Sequence, residues 1–573
     1  MNKVVYPKKL SINWLKKMYA KNKISPEEVV LEIIDRANRD KEMNIWITSP
    51  SFENIKPYID QLKSTKPNSL PLWGIPFAIK DNIDLENIET TAGCPEYAYT
   101  PRESAEVVKK LIEAGAIPVG KANLDQFATG LVGTRSPYGE VHNALNPELI
   151  SGGSSSGSAV SVARGQAAFA LGTDTAGSGR VPALLNDLVG FKPSFGAWST
   201  KGLVKACASL DCITVFSVNL DEAVMVDAVV RGFIEEDPWS KEIPKPVSRL
   251  PKKICLPNKT PEFYGPYGRE YEKAWHESVE KIKELNIPVE YIDYHMFSEA
   301  AAILYEGPWV AERWKDLGDF VKENPDKVFP VTKTILEGGG DPKFDAVSVF
   351  KAIHRLQELK AKTKVILKDA VLIMPTAGGT WTRDQVRENP IAANSDMGKY
   401  TNHCNLLDLS AVAIPSGYAA KDVPFGITIF SLSDAEGLLI GLGRELKEEK
   451  ITVAVCGLHM QGYPLEVQMI ECGSKYIKTC KTADKYKLFK LNTNPAKPGL
   501  IKVENGGGAV EVELWEMPLD KFGYFTSLIP SPLGIGKVQL EDGSEVCGFI
   551  CEEYGKYDAE NITESGGWRY INN

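Results

Sequence analysis

The 573-residue sequence has no basic block, and 66 Lys and Arg against 75 Asp and Glu give a formal charge of −9. Non-specific nucleic-acid binding needs a positive surface to displace counterions, so that class is set aside. The first residues, Met1 to Lys8, lack the apolar run of a signal peptide, and no apolar stretch is long enough to span a bilayer. Both absences point to a cytoplasmic chain without a membrane partner. The ten cysteines are scattered from Cys94 to Cys551 with no framework spacing, as expected of a reduced protein. The six histidines form no HExxH or other close pair, and Cys547 and Cys551 have no second pair to complete a four-ligand site. No metal is expected. Internal repeats and low-complexity tracts are also missing.

What is present divides the chain in two, although length alone, at about 150 residues per domain, would suggest three or four domains. Ser25-Pro26-Glu27-Glu28 is a capping box with proline at the first helical position, ahead of Val29, Val30, Ile33, Ile34 and Ala37 on one face. Pro71 to Lys80 reads as a short buried strand ending on a lysine. Val107 to Ala116 reads as a helix, and Ile117 to Lys121 as another strand. This alternation runs to about residue 440 and predicts an α/β layered core. From Lys450 the texture changes to alternating or β-branched runs, at residues 451–456, 476–479, 488–491 and 510–515, separated by Gly and Pro clusters. The expected domains are therefore 1–445 and a small β-rich α+β domain, 450–573.

The segment most suggestive of chemistry is Ser151-Gly152-Gly153-Ser154-Ser155-Ser156-Gly157-Ser158, followed by Gly172 to Ala183. Small residues permit close backbone approach, and serines among them expose hydroxyls and N–H groups, as an acyl-transfer site requires. The apolar runs 159–163 and 167–171 between these stretches argue against a flexible linker. Gly153 to Gly157 formally fits G-x-S-x-G, which would make Ser155 a nucleophile, but no strand precedes it and no later histidine stands out. Gly115 to Ala122 nearly fits a P-loop, yet Ala122 replaces the magnesium-binding hydroxyl and Pro118 removes a cradling N–H. Both matches are read as accidental.

Lys80, Gly152-Gly153-Ser154-Ser155 and Gly177-Ser178-Gly179-Arg180, in that order, resemble the amidase signature family over roughly residues 70 to 430. Within that family, residues 122–139, 305–313 and 374–382 resemble the branch that cleaves allophanate, and the C-terminal stretch from Val455 resembles that branch's second domain. Ala176 and Gly179 depart from the general amidase pattern in the manner of this branch, while Ser156 in place of a usual glycine is unexplained.

The resemblance implies an amidase-signature fold, a mixed central sheet covered by helices, with Ser178 as nucleophile. Ser154, after a cis peptide, would relay the proton to Lys80 as general base. The backbone N–H groups of Thr175, Ala176, Gly177 and Ser178 would form the oxyanion hole. A lysine serves as base only when neutral, so burial must lower its pKa. A carboxylate-bearing substrate calls for a cationic fork, for which Arg313, with Tyr305 about two turns earlier, is the candidate. Asp125 and Thr129 are expected in the same pocket, and Arg180 as a loop anchor. For the second domain the resemblance implies a role for His459 and a fold of the γ-glutamylcyclotransferase type, whose acidic residue would correspond to Glu511 or Glu513. It further implies no cofactor, homodimerisation, and a functional partner in a biotin-dependent urea carboxylase. The rival readings are another amidase-signature amidase or an amidotransferase glutaminase subunit, and a non-catalytic scaffold.

Overall fold

Among the described residues, eleven strands of the first unit form one mixed sheet. They are β1 (Trp46–Thr48), β2 (Pro76–Lys80), β3 (Ile117–Ala122), β4 (Phe169–Asp174), β5 (Val189–Lys192), β6 (Cys212–Ser217), β7 (Lys253–Pro257), β8 (Val289–Ile292), β9 (Ala370–Pro375), β10 (Leu409–Ala420) and β11 (Val423–Leu432). Their spatial order is β1-β3-β2-β4-β6-β5-β10-β11-β9-β7-β8. The structure is a computed structural model and describes residues 4–447 and 450–571, apart from the side chains of 305 and 520. The chain divides into two compact units, Met1–Leu446 and Lys447–Asn573.

The unbroken apolar runs follow from burial on both faces. Strands β2, β3, β4, β5, β6 and β9 are buried at every residue, the pattern of strands covered by helices on each side. Phe77 of β2 lies opposite Phe169 of β4, with ring centroids 5.2 Å apart and planes 5° from parallel. Burial of each ring contributes about 1.5–3 kcal/mol.

Local signals are realised where they carry a cap. Ser25 and Glu28 form the reciprocal capping box on the Pro26–Arg39 helix. The helix expected over 107–116 instead spans Glu106–Glu113, because Gly115 turns the chain at a φ of +87° before β3 begins. The strand read from Pro71 starts only at Pro76, as residues 71–74 form a turn. The P-loop-like stretch is β3 itself. Its Lys121 is buried, bonded to Thr90 Oγ1 at 2.9 Å and paired with Asp81 at 3.3 Å.

β2 and β4 are parallel neighbours, so Lys80 and Asp174, their last residues, lie at the same edge of the sheet. The Ser156–Ala163 helix behind them is buried at every residue. Small side chains make this possible: a Cβ on Gly157 would stand 2.2 Å from the Ile45 carbonyl oxygen.

The second unit holds β12 (Lys450–Val455), β13 (Lys475–Lys481), β14 (Tyr486–Leu491), β15 (Lys497–Lys502), β16 (Glu511–Pro518), β17 (Leu533–Gln539), β18 (Glu545–Cys551) and β19 (Glu560–Asn561). A five-stranded sheet runs β13-β16-β12-β18-β17 and a three-stranded one β15-β14-β19. Two helices, Glu466–Glu471 and Leu519–Ser527, accompany them, giving the β-rich α+β texture expected from the sequence. No helix among the described residues is long and apolar enough to cross a membrane.

Candidate active site

Lys80 ends β2 in a fully buried position. Its ammonium nitrogen lies 2.8 Å from Ser154 Oγ and 2.6 Å from Thr173 Oγ1. Burial pulls its pKa down from 10.5 to about 7, assisted by Arg313 and opposed by Asp125, Asp211 and Asp174. Desolvation thus outweighs three carboxylates, and the amine is available as a base near neutrality. Ser154 follows a cis peptide after Gly153. A Cβ on Gly153 would meet Asp125 Oδ2 at 2.0 Å, so only glycine fits there.

Ser178 lies just past the end of β4 and is 4% exposed. Its hydroxyl forms no hydrogen bond among the described residues. Asp174 shapes the turn that presents it: the carboxylate accepts from Gly177 N–H at 2.9 Å and Gly179 N–H at 3.0 Å. It also accepts twice from Arg180, each at 2.9 Å. Burial alone would raise the Asp174 carboxyl, but the adjoining guanidinium more than reverses this and holds it below the ordinary value. Arg180, fully buried, is the loop anchor expected of it, and also donates to the Thr401 carbonyl at 3.2 Å.

One of the four N–H groups expected as oxyanion donors is engaged elsewhere. The Gly177 N–H is already committed to Asp174, whereas the N–H groups of Thr175, Ala176 and Ser178 have no acceptor among the described residues. Ser155, the formal elbow serine, is a clip: its Oγ donates to the Thr173 carbonyl at 3.1 Å and accepts from the Thr173 N–H at 3.2 Å.

The expected carboxylate-binding group is only partly assembled. Arg313, on the Val310–Glu323 helix and 2% exposed, donates to Thr129 Oγ1 at 2.7 Å. Asp125 is corrected. Its Oδ1 accepts from Arg135 N–H at 2.9 Å, and its Oδ2 from Val132 at 3.2 Å and Gly133 at 3.0 Å. A carboxylate so engaged clamps the 132–135 loop and is not offered to a substrate. The side chain of Tyr305 lies outside the described residues.

Sequence reasoning missed Asp174, Thr173 and Asp211. Asp174 could have been noticed as an acidic residue inside the small-residue segment. Asp211 is fully buried, and burial raises its carboxyl to about 6 against the Thr175 hydroxyl bond and Arg313.

The chain matches the amidase family over residues 28–440. It belongs to that family. The amidase match is followed by one to the allophanate hydrolase C-terminal domain over residues 451–573. The solved structure of SeMet-substituted Kluyveromyces lactis allophanate hydrolase is 37% identical, with a TM-score of 0.72 and 98% of each chain covered. Urea amidolyase of Saccharomyces cerevisiae is 39% identical over 94% of this amidase, which spans only 32% of that relative's length. A glutamyl-tRNA(Gln) amidotransferase subunit of Caldanaerobacter subterraneus subsp. tengcongensis is 29% identical, over 76% of this chain and 95% of its own.

In the second unit of this amidase, His459 lines a cavity of about 230 Å³ with Gln468, Lys497, Leu458 and Phe549. His459 Nε2 is 2.9 Å from Gln468 Oε1, and its ring lies 4.9 Å from that of Phe549. Burial lowers the imidazole pKa, against the Gln468 bond and with help from Lys497. Glu511 and Glu513 are not in the lining. Glu513 accepts from Gln461 N–H and the Trp515 indole and pairs with Arg569. Glu511 accepts from the Tyr570 hydroxyl.

Proposed function

We propose that this amidase hydrolyses allophanate, releasing ammonia and carbon dioxide by way of N-carboxycarbamate, in urea degradation. The observation that carries the reading is one unit in which a fully buried Lys80 bonds Ser154 and a buried guanidinium, Arg313, is close enough to lower the lysine's pKa. Arg313 takes the substrate carboxylate, leaving the ureido carbonyl over Ser178. Ser178 Oγ attacks that carbon while its proton passes through Ser154 Oγ to Lys80 Nζ. The carbonyl oxygen becomes an oxyanion held by the open N–H groups of Thr175, Ala176 and Ser178.

Collapse of the tetrahedral species breaks the terminal C–N bond, and the proton returns from Lys80 through Ser154 to the departing nitrogen, which leaves as ammonia. Water then adds to the acyl-Ser178 while Ser154 relays its proton to Lys80; the proton then returns through Ser154 to Ser178 Oγ as its bond to the acyl carbon breaks and N-carboxycarbamate departs. In the second unit, the cavity around His459 supports loss of carbon dioxide from that product. A mostly apolar wall disfavours a carboxylate and favours neutral carbon dioxide. The substrate's source is a biotin-dependent urea carboxylase. In support, the relatives named urea amidolyase are about three times the length of this chain.

Ammonia release from allophanate, glutamine and a simple amide, measured side by side, tests the reading. Allophanate is expected to be the preferred substrate, and Ser178→Ala to lose hydrolysis. Activity on glutamine alone, or full activity in Ser178→Ala, would overturn it. For the second unit, His459→Ala is expected to release the first ammonia at the wild-type rate and the second more slowly. Equal rates would remove His459 from the reaction.

A further inference from the structure

Residues 206–211 supply no group to the proposed chemistry, yet they are fastened to both halves of the site. At one end, Ser209 donates to Glu312 twice, through N–H at 2.9 Å and Oγ at 2.6 Å. The Trp309 indole donates to Ser209 Oγ at 3.4 Å. Glu312 adjoins Arg313 at the start of the Val310–Glu323 helix. At the other end, Asp211 Oδ1 accepts the Thr175 hydroxyl, while Oδ2 accepts from Ala206 N–H at 2.7 Å and Cys207 N–H at 3.0 Å. Asn405 clasps the same junction, donating to the Leu210 carbonyl at 2.9 Å and the Asp174 carbonyl at 2.7 Å.

We infer that residues 206–211 are a strap joining the helix that carries Arg313 to the oxyanion segment at Thr175, with Ser209 and Asp211 as positioning residues. The inference rests on the reading of Arg313 as the carboxylate-binding group. Binding energy gained at a remote carboxylate accelerates the chemical step only where rigid contacts carry it to the reacting centre. Oxyanion donors must also be held close to their transition-state positions, because a misplacement of about 1 Å can cost about a hundredfold in rate. The strap gives a continuous hydrogen-bonded path between the two.

Asp211 has a second effect that a mere brace would lack. It is one of three carboxylates, with Asp125 and Asp174, that favour the charged form of Lys80, while Arg313 disfavours it. Asp211 itself faces Thr175, Arg313 and the Cys207 thiol. Replacing it with a neutral residue removes one charge favouring the ammonium, so Lys80 loses its proton at lower pH.

The test uses the full chain with allophanate, in wild type, Ser209→Ala, Asp211→Asn and the double variant. Each single variant is expected to lower kcat by about tenfold, with KM within about twofold, as for donors that are displaced but present. The double variant is expected to lose little more than the worse single one, because both cut the same strap. The acid limb of the kcat/KM profile should move to lower pH in Asp211→Asn and stay in place in Ser209→Ala. Where Asp211→Asn does not fold, Thr175→Val cuts the same end while leaving the Asp211 amide bonds. Losses that multiply in the double variant, a raised KM with kcat preserved, or an unmoved acid limb in folded Asp211→Asn would overturn the strap. A wild-type chain inactive on allophanate would instead overturn the function on which it rests.

Discussion

Arg313 Nη1 donates to Thr129 Oγ1 at 2.7 Å, across 184 positions of sequence, with both side chains buried. The Thr129 hydroxyl spends its own proton on the Phe127 carbonyl at 3.1 Å. Its lone pair therefore faces the guanidinium and helps hold the orientation of the arginine fork.

Arg313→Lys keeps the charge and loses the fork. Hydrogen bonds to charged groups contribute about 1.5–3 kcal/mol, so KM for allophanate is expected to rise about 10- to 100-fold. Thr129→Val should give a smaller rise, since the arginine remains. Steady-state kinetics on allophanate measure both, and an unchanged KM in Arg313→Lys would place the carboxylate elsewhere.

Lys80 must be neutral to accept a proton, and its pKa is lowered from 10.5 to about 7 by burial. The kcat/KM profile is expected to rise about tenfold per pH unit below 7 and to level above it. Stability follows the same protons. Between about 7 and 10.5 the unfolded chain holds a proton on this lysine that the folded chain has released. The Lys80 contribution to stability therefore increases with pH through that window and is least favourable below 7. Urea melts of wild type and Lys80→Met across pH 6 to 10 should converge as pH rises.

Asp174→Asn breaks a fully buried ion pair and leaves Arg180 facing a neutral amide. Leaving one partner of such a pair unmatched costs about 3–5 kcal/mol. One of the Gly177 and Gly179 amides loses its acceptor as well, since asparagine keeps only one side-chain oxygen, so the Ser178 turn loosens. A lowered urea midpoint together with a fall in kcat is expected. An unaltered midpoint would show that the pair is not the anchor of the turn.

Several features are legible in the sequence because they depend on residues close together along the chain. The Ser25–Glu28 capping box needs only i and i+3. The buried strands show as apolar runs because helices cover both faces of the sheet. Lys80, Ser154 and Ser178 can be named because the resemblance to the amidase signature family rests on short motifs: a lysine ending an apolar strand and two serines among small residues. Element ends are less legible: Gly115 closes its helix earlier than the apolar pattern suggests.

Asp125 shows where sequence reasoning stops. An acidic residue near Thr129 reads as a pocket residue until the loop folds back and three backbone N–H groups converge on its carboxylate. Asp211 is the converse: it sits in no motif, yet its burial and its bond to the Thr175 hydroxyl tie it to the turn that follows β4.

The sequence by itself determined which groups could do chemistry: an amine, two serines, a run of small residues and a guanidinium. Only the tertiary structure decided which of them act together. It set Lys80 against Ser154 across 74 positions and against Thr173 across 93, and removed all three from water. A lysine's basicity depends on the dielectric and charges around it, and a carboxylate's role on which N–H groups come within reach. Both are properties of neighbours far apart in the chain.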